Sequence, residues 1–176
     1  MTGSSDEALL RDSGAGRPAA LAALYDRYGP ALYRAALGLL GSRTDAEDAV
    51  QDVWVGLVRR RPGRVRNVRA YLFAALRHAA LRRARTRLRG RSLNQVPEPV
   101  SPAEDPPSDR GVRLERALRS LPPEQREAIV LKVDTGMTFA ELGEVLGISS
   151  NTAASRYRYA LEKLRHALGA RDDEAT

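Results

Sequence analysis

The sequence predicts an all-α protein made of two small helical domains joined by an extended linker, and three observations carry that reading. Apolar residues recur at helical spacing through most of the chain, helix-start and helix-stop residues punctuate them, and one stretch near the middle has neither feature. That stretch, Gly90 to Asp109, holds five prolines and the acids Glu98, Glu104, Asp105 and Asp109. At ~3.3 Å per residue it reaches at most about 70 Å, or about two turns of DNA. The expected division is a first helical domain over 1–89, a linker over 90–111, a second helical domain over 112–170 and a frayed tail over 171–176.

In the first domain Ser4 and Glu7 have the spacing of a capping box. From Pro18 the residues Leu21, Leu24, Tyr28, Leu32, Ala35, Ala36 and Leu39 keep helical period, and Pro30 within them is expected to kink or divide the helix before Gly41 and Ser42 end it. Thr44 and Glu47 suggest another capping box. Behind it Ala46, Ala49, Val50, Val53, Trp54, Leu57 and Val58 form the strongest helical stripe in the chain, which assigns Trp54 to the core. The opposite face aligns Asp45, Asp48 and Asp52 beside Gln51 and Val55. Two readings fit that face: a solvated surface with acids favoured near a helix start, or a docking face for a basic partner.

The charge then reverses. Met1 to Trp54 holds eight acids against five arginines, whereas Val55 to Arg91 holds thirteen arginines and no acid. After Pro62-Gly63 and a short basic loop, Tyr71, Leu72, Ala75, Leu76, Ala79 and Ala80 begin a helix whose later turns carry Arg82, Arg83, Arg85, Arg87 and Arg89. A cationic helix beside a basic loop is suited to tracking phosphates, although a solvated basic run gives the same pattern. Few aromatic side chains flank the loop, which leaves little support for base stacking there.

Beyond the linker, Leu114, Ala117, Leu118 and Leu121 open a helix, and Pro122-Pro123-Glu124 starts the next, which Gly136 ends. Thr138 and Glu141 form a capping box ahead of Phe139, Leu142 and Leu146. Gly147 suits a left-handed stop, Ile148 plugs the angle, and Ser149 is a good N-cap for a further helix. This is the grammar of a helix-turn-helix DNA reader. In its last helix Ala153, Tyr157, Ala160, Leu161, Leu164 and Leu168 share one face, leaving Asn151, Thr152, Ser155, Arg158 and Tyr159 on the other with Arg156 at the flank. Ser150, Asn151 and Thr152 occupy the first turn, where recognition helices place base contacts.

Composition points the same way. The 176 residues carry a net charge of +7 and a pI near 10.3. Among the cationic residues only Lys132 and Lys163 are not arginine, whose planar fork suits phosphate and guanine. With no cysteine, disulfides, thiolate metal sites and cysteine nucleophiles are excluded. The first residues lack a signal-peptide pattern and no apolar run approaches a membrane span, so a cytoplasmic location without membrane insertion is expected.

Two blocks, DAEDAVQDVW from Asp45 to Trp54 and LPPEQREAIVLKVDTGMTFAELGEVLGISSNTAASRYRYALEKLR from Leu121 to Arg165, together resemble the extracytoplasmic-function (ECF) group of sigma-70 RNA polymerase sigma factors. The resemblance spans nearly the whole chain and implies sigma regions 2 and 4 joined by a linker. It implies that Asp45, Asp48, Gln51, Asp52 and Val55 dock the beta-prime clamp helices of core RNA polymerase, with the beta flap as a second polymerase contact. By the same resemblance Arg61, Arg64, Arg66, Asn67, Arg69, Arg77, His78, Arg82 and Arg85 hold the melted -10 element. Ser150, Asn151, Thr152, Ser155, Arg156, Arg158 and Tyr159 would read the -35 element, and the acidic linker would thread toward the RNA channel. Promoter DNA and an anti-sigma factor are the other partners it suggests. The chain departs from the group at Arg77-His78 and Arg82, where an Arg-Asn pair and an Asp are common, and at Ala153, Tyr157 and Tyr159 in the reader helix.

Two other functions fit parts of the sequence less well. A dimeric helix-turn-helix regulator would leave the acidic face without a task, and no effector pocket, receiver domain or heptad seam is visible. A nucleic-acid enzyme holding Mg²⁺ would need convergent ligands, whereas Asp45, Asp48 and Asp52 spread along a helix, the spacing makes Glu47 a cap partner, and His78 and His166 lack partners in the pattern. No catalytic residue, metal site or cofactor is therefore expected.

Overall fold

The computed structural model describes residues 5–91 and 109–169. Among them are eight helices and no strand: α1 (Asp6–Gly14), α2 (Pro18–Leu40), α3 (Arg43–Arg60), α4 (Val68–Arg91), α5 (Asp109–Ser120), α6 (Pro123–Thr135), α7 (Phe139–Leu146) and α8 (Ser150–Gly169). Helices α1–α4 pack on one another, with α2 touching α1, α3 and α4, and helices α5–α8 gather around α8. The two groups meet where α2 lies against α6 and α4 against α7.

The first group is held by the predicted stripes. Leu24, Leu32, Ala35 and Ala36 of α2, Ala46, Ala49, Val53 and Leu57 of α3, and Leu72, Phe73 and Leu76 of α4 are buried together. Trp54 is buried as expected and packs against Tyr25 at 5.3 Å between ring centroids. Asp6 fastens α1 to α2, accepting hydrogen bonds from Tyr28 Oη and Arg27. Burial and then this carboxylate push the Tyr28 hydroxyl well above the usual tyrosine range.

Local expectations need correction in three places. The cap of α1 is Ser5, whose Oγ accepts from Ala8 N, and Ser4 lies outside the described residues. The cap of α3 is Ser42, not Thr44. Gly41 takes the left-handed conformation (φ 62) that ends α2, so the chain has already turned at Ser42, which stands extended and accepts from Asp45 N. Glu47 is consequently exposed and has no capping role. Pro30 does not divide α2, which runs unbroken from Pro18 to Leu40. An interior proline costs roughly 3 kcal/mol of helix stability, an amount that burying Leu24, Leu32, Ala35 and Ala36 outweighs.

The second group follows the sequence closely. Thr138 and Glu141 make the full capping box, and Gly136 and Gly147 are left-handed stops at φ 63 and 70. Gly143 allows the turn between α7 and α8 to close, since a Cβ there would stand 2.7 Å from the carbonyl oxygen of Ile148. Lys132 reinforces the preceding loop by donating to the Met137 carbonyl oxygen while lying over the Phe139 ring. The proline-rich linker falls almost wholly outside the described residues; α4 continues to Arg91 and α5 begins at Asp109.

Candidate nucleic-acid interface

The short connection after α3 makes α3 and α4 antiparallel neighbours, and this decides what the acidic stripe meets. Arg83 donates through Nη1 to Asp48 Oδ2 at 3.0 Å and through Nη2 to Asp52 Oδ2 at 3.1 Å. Arg87 stands 3.5 Å from Asp45, and Arg82 stands 3.7 Å from Asp52. The acids ascend α3 as the arginines descend α4, forming a ladder. Each rung is partly exposed and by itself contributes about 0–1 kcal/mol, but Arg83 ties two carboxylates at once. Gln51 and Val55, assigned to the same docking face, are exposed. The sequence reading does not include Arg83 and Arg87 as partners of this face. Their signal was the matching spacing of acids on one helix and arginines on the next across a short loop.

The residues expected to hold -10 DNA separate into three sets. Arg64 and Arg66 lie exposed in the loop, and Arg61, also exposed, ends α3 in the left-handed region at φ 44. His78, Arg82 and Arg85 line a groove of about 340 Å³ between α3 and α4, together with Asp52, Arg60 and Tyr71. The last set is already engaged by the other half of the chain. Asn67 Oδ1 accepts from Ala70 N at 2.9 Å and so caps α4, while its Nδ2 donates to Glu141 Oε1 at 2.8 Å. Arg69 donates to both Glu141 carboxylate oxygens (3.1 and 3.4 Å) and to the Thr135 carbonyl oxygen at 3.1 Å. Arg77 Nε donates to Glu127 Oε2 at 3.1 Å in the least exposed ion pair among the described residues.

Glu141 therefore serves twice. Its carboxylate accepts from Thr138 N at 2.8 Å within the capping box and also from Asn67 and Arg69. The Thr138 backbone bond first, then the Asn67 and Arg69 side chains, hold its pKa down at about 2 against a partial burial that pushes upward. Asp134, which pairs with Arg34 at 3.3 Å, is shifted upward because burial outweighs the arginine.

The reader helix presents a different environment. Ser149 caps it, its Oγ accepting from Thr152 N at 3.1 Å, and Ala153, Ala160 and Leu164 are buried against α6 and α7. Tyr157 leans on Phe139 with ring centroids 5.7 Å apart. Ser150, Asn151, Thr152, Arg158 and Tyr159 are exposed, with Ser155 and Arg156 half-buried beside them. The side-chain bonds on this face are local: Arg158 donates to Ser155 Oγ at 3.3 Å, and the Thr152 hydroxyl meets that of Ser149 at 2.9 Å. Among the described residues no three side chains of metal-ligand type converge.

Comparison with known proteins agrees with this division. The chain matches Sigma-70 region 2 over residues 24–90, which covers most of α2, all of α3 and nearly all of α4, and Sigma-70 region 4 over 111–164, which covers most of α5 through most of α8. It is 34% identical over 178 residues to the ECF RNA polymerase sigma factor SigM of Mycobacterium tuberculosis, covering 94% of this chain and 85% of that relative. The chain belongs to the ECF sigma factors. It is 32% identical to SigE of Mycolicibacterium smegmatis over 157 residues, 81% of this chain, and spans only 59% of that longer relative. Among solved structures it is similar to the sigma factor RpoE from Bartonella quintana, solved in complex with the anti-sigma factor NepR. The TM-score is 0.67 at 27% identity, covering 80% of this chain and 91% of that one.

Proposed function

We infer that this ECF sigma factor binds core RNA polymerase and directs promoter recognition and transcription initiation, acting as an initiation factor and not as an enzyme. The observation that carries the reading is the pairing, in one member of the family, of an exposed helix-turn-helix reader on α8 with a separate arginine-rich surface on α4 and the loop before it. Two DNA-binding surfaces in one chain fit two promoter elements. Asp45, Asp48, Gln51, Asp52 and Val55 are assigned to the beta-prime clamp helices, with the second unit meeting the beta flap. The loop and α4 residues from Arg61 to Arg85 hold the -10 strand by its phosphates, and Tyr71 beside the groove offers an aromatic face. Asn151, Thr152, Ser155 and Arg156 read -35 base edges, while Ser150, Arg158 and Tyr159 border the phosphates.

We place the domain limits at 89 and 112, with the segment between acting as a tether that sets reach. An anti-sigma partner is proposed because the RpoE relative was solved with one. The place of action is the cytoplasm, where polymerase works; among the described residues no helix is long and apolar enough to cross a membrane. Run-off transcription with core polymerase and a random promoter library tests the function. The expected result is transcripts from a defined promoter class only when both chain and core are present. Transcript patterns unaltered by adding the chain contradict it.

A further inference from the structure

We propose that the acidic side of the second unit is an intramolecular ligand for the basic surface of the first, with Glu127 and Glu141 occupying the places of -10 DNA phosphates on Asn67, Arg69 and Arg77. The closed chain and the DNA-bound chain are then mutually exclusive. This rests on the assignment of that surface to -10 DNA. Its basis is the identity of the donors: the Arg69 fork, the Asn67 amide and Arg77 Nε all point at carboxylate oxygens at 2.8–3.4 Å. A carboxylate and a phosphate offer a guanidinium the same paired acceptors, so one displaces the other without new geometry.

The rest of the contact mixes apolar and polar groups. Gly38 of α2 lies close against Val130 of α6, where a Cβ on residue 38 would meet the valine methyl carbons at 3.0 and 3.1 Å. Around it lie Arg34 with Asp134 and Arg119 donating to the Gly41 carbonyl oxygen at 2.8 Å. Interfaces between domains of one chain commonly open and close, and the paired charges here are the part that a phosphate can replace. Glu141 also leaves α7 intact on opening, because its capping bond to Thr138 needs nothing from the first unit. Its low pKa keeps the carboxylate charged throughout the neutral range. The clamp therefore yields to competing charge and salt, not to mild acid.

The full chain permits a direct test because it has no cysteine. A Cβ on residue 38 would lie 3.7 Å from Val130 Cβ, within the span of about 3.5–4.5 Å that a disulfide bridges. Gly38→Cys with Val130→Cys, oxidised and checked by mass, should bind a fluorescent single-stranded DNA probe at least about tenfold more weakly than after reduction, and should lose transcription with core polymerase until reduced. Separately, Glu127→Gln with Glu141→Gln should raise probe binding by the free chain several-fold more than Glu124→Gln with Glu162→Gln, which changes net charge equally at exposed positions. Gln still serves a capping box, so the fold is kept. Failure of the cysteines to join, equal probe binding and transcription in both redox states, or equal gains from the two glutamine pairs overturns the proposal. A reduced chain that binds the probe yet directs no transcription from any promoter overturns the sigma assignment instead.

Discussion

The -35 reader and the -10 surface start from opposite conditions in this chain. The polar face of α8 is open, with Asn151, Thr152, Arg158 and Tyr159 exposed. Across the first unit, Asn67, Arg69 and Arg77 are held by the second unit, while Arg82, Arg83 and Arg87 are held by the acids of α3. Charge alone does not distinguish these surfaces; partners do. An arginine bound to a carboxylate contributes to DNA binding only the difference between two good partners, whereas an exposed one contributes nearly the whole contact.

The sharpest way to break this contrast is to attack the ladder. Asp48→Lys with Asp52→Lys should lower core affinity by about 2–3 kcal/mol, roughly 30- to 150-fold, if those carboxylates meet a basic polymerase surface. The same change sets lysines against Arg83, so a lower melting temperature is expected too. Arg83→Gln separates the effects: it also loosens the ladder but should leave core affinity in pull-down assays equal or higher. A drop as large as that of the lysine pair would assign the whole effect to folding.

On the open surface, Asn151→Ala or Arg156→Ala should cost about 1–3 kcal/mol at one base position, whereas Arg158→Ala should weaken all promoters alike and lower the salt slope by about one. Ranking of -35 variants unchanged by the first two would put base reading on another face. Arg61→Gly isolates a smaller effect. Arg61 is a left-handed helix stop at φ 44 where glycine fits without strain, so stability should rise by about 0.5–1 kcal/mol in denaturant melts while nucleic-acid affinity falls slightly. The least effect near neutrality is that of pH. The folded pKa of Glu141, about 2, lies below its unfolded value, so its stabilising part is complete above about pH 4.5 and fades as pH falls toward 2. Glu141→Gln should lower the melting temperature at pH 7 and flatten the acid limb of the melting curve, the two proteins converging toward pH 2.

What was legible in the chain was whatever local pattern controls. The 138–169 reader could be anticipated almost residue by residue, because Thr138, Glu141, Gly147 and Ser149 act on neighbours within one turn. Caps at Ser5 and Ser42 were misplaced because several Ser and Thr residues stand close to each helix start, and only the backbone turn selects among them. The α3–α4 ladder was legible in principle from paired spacings across a short loop. Contacts of Glu127 and Glu141 with Arg77 and Arg69 span 50 and 72 residues across the linker, a separation at which no periodicity connects one residue to another.

The contrast between the open and the covered surface is tested most directly by selecting a random duplex library with the isolated chain and with core polymerase plus chain, at one stated salt concentration. The account predicts weak enrichment of a -35 motif by the isolated chain with no -10 motif, and enrichment of both at fixed spacing once core is present. A -10 motif selected by the isolated chain as strongly as by the assembled enzyme would contradict it.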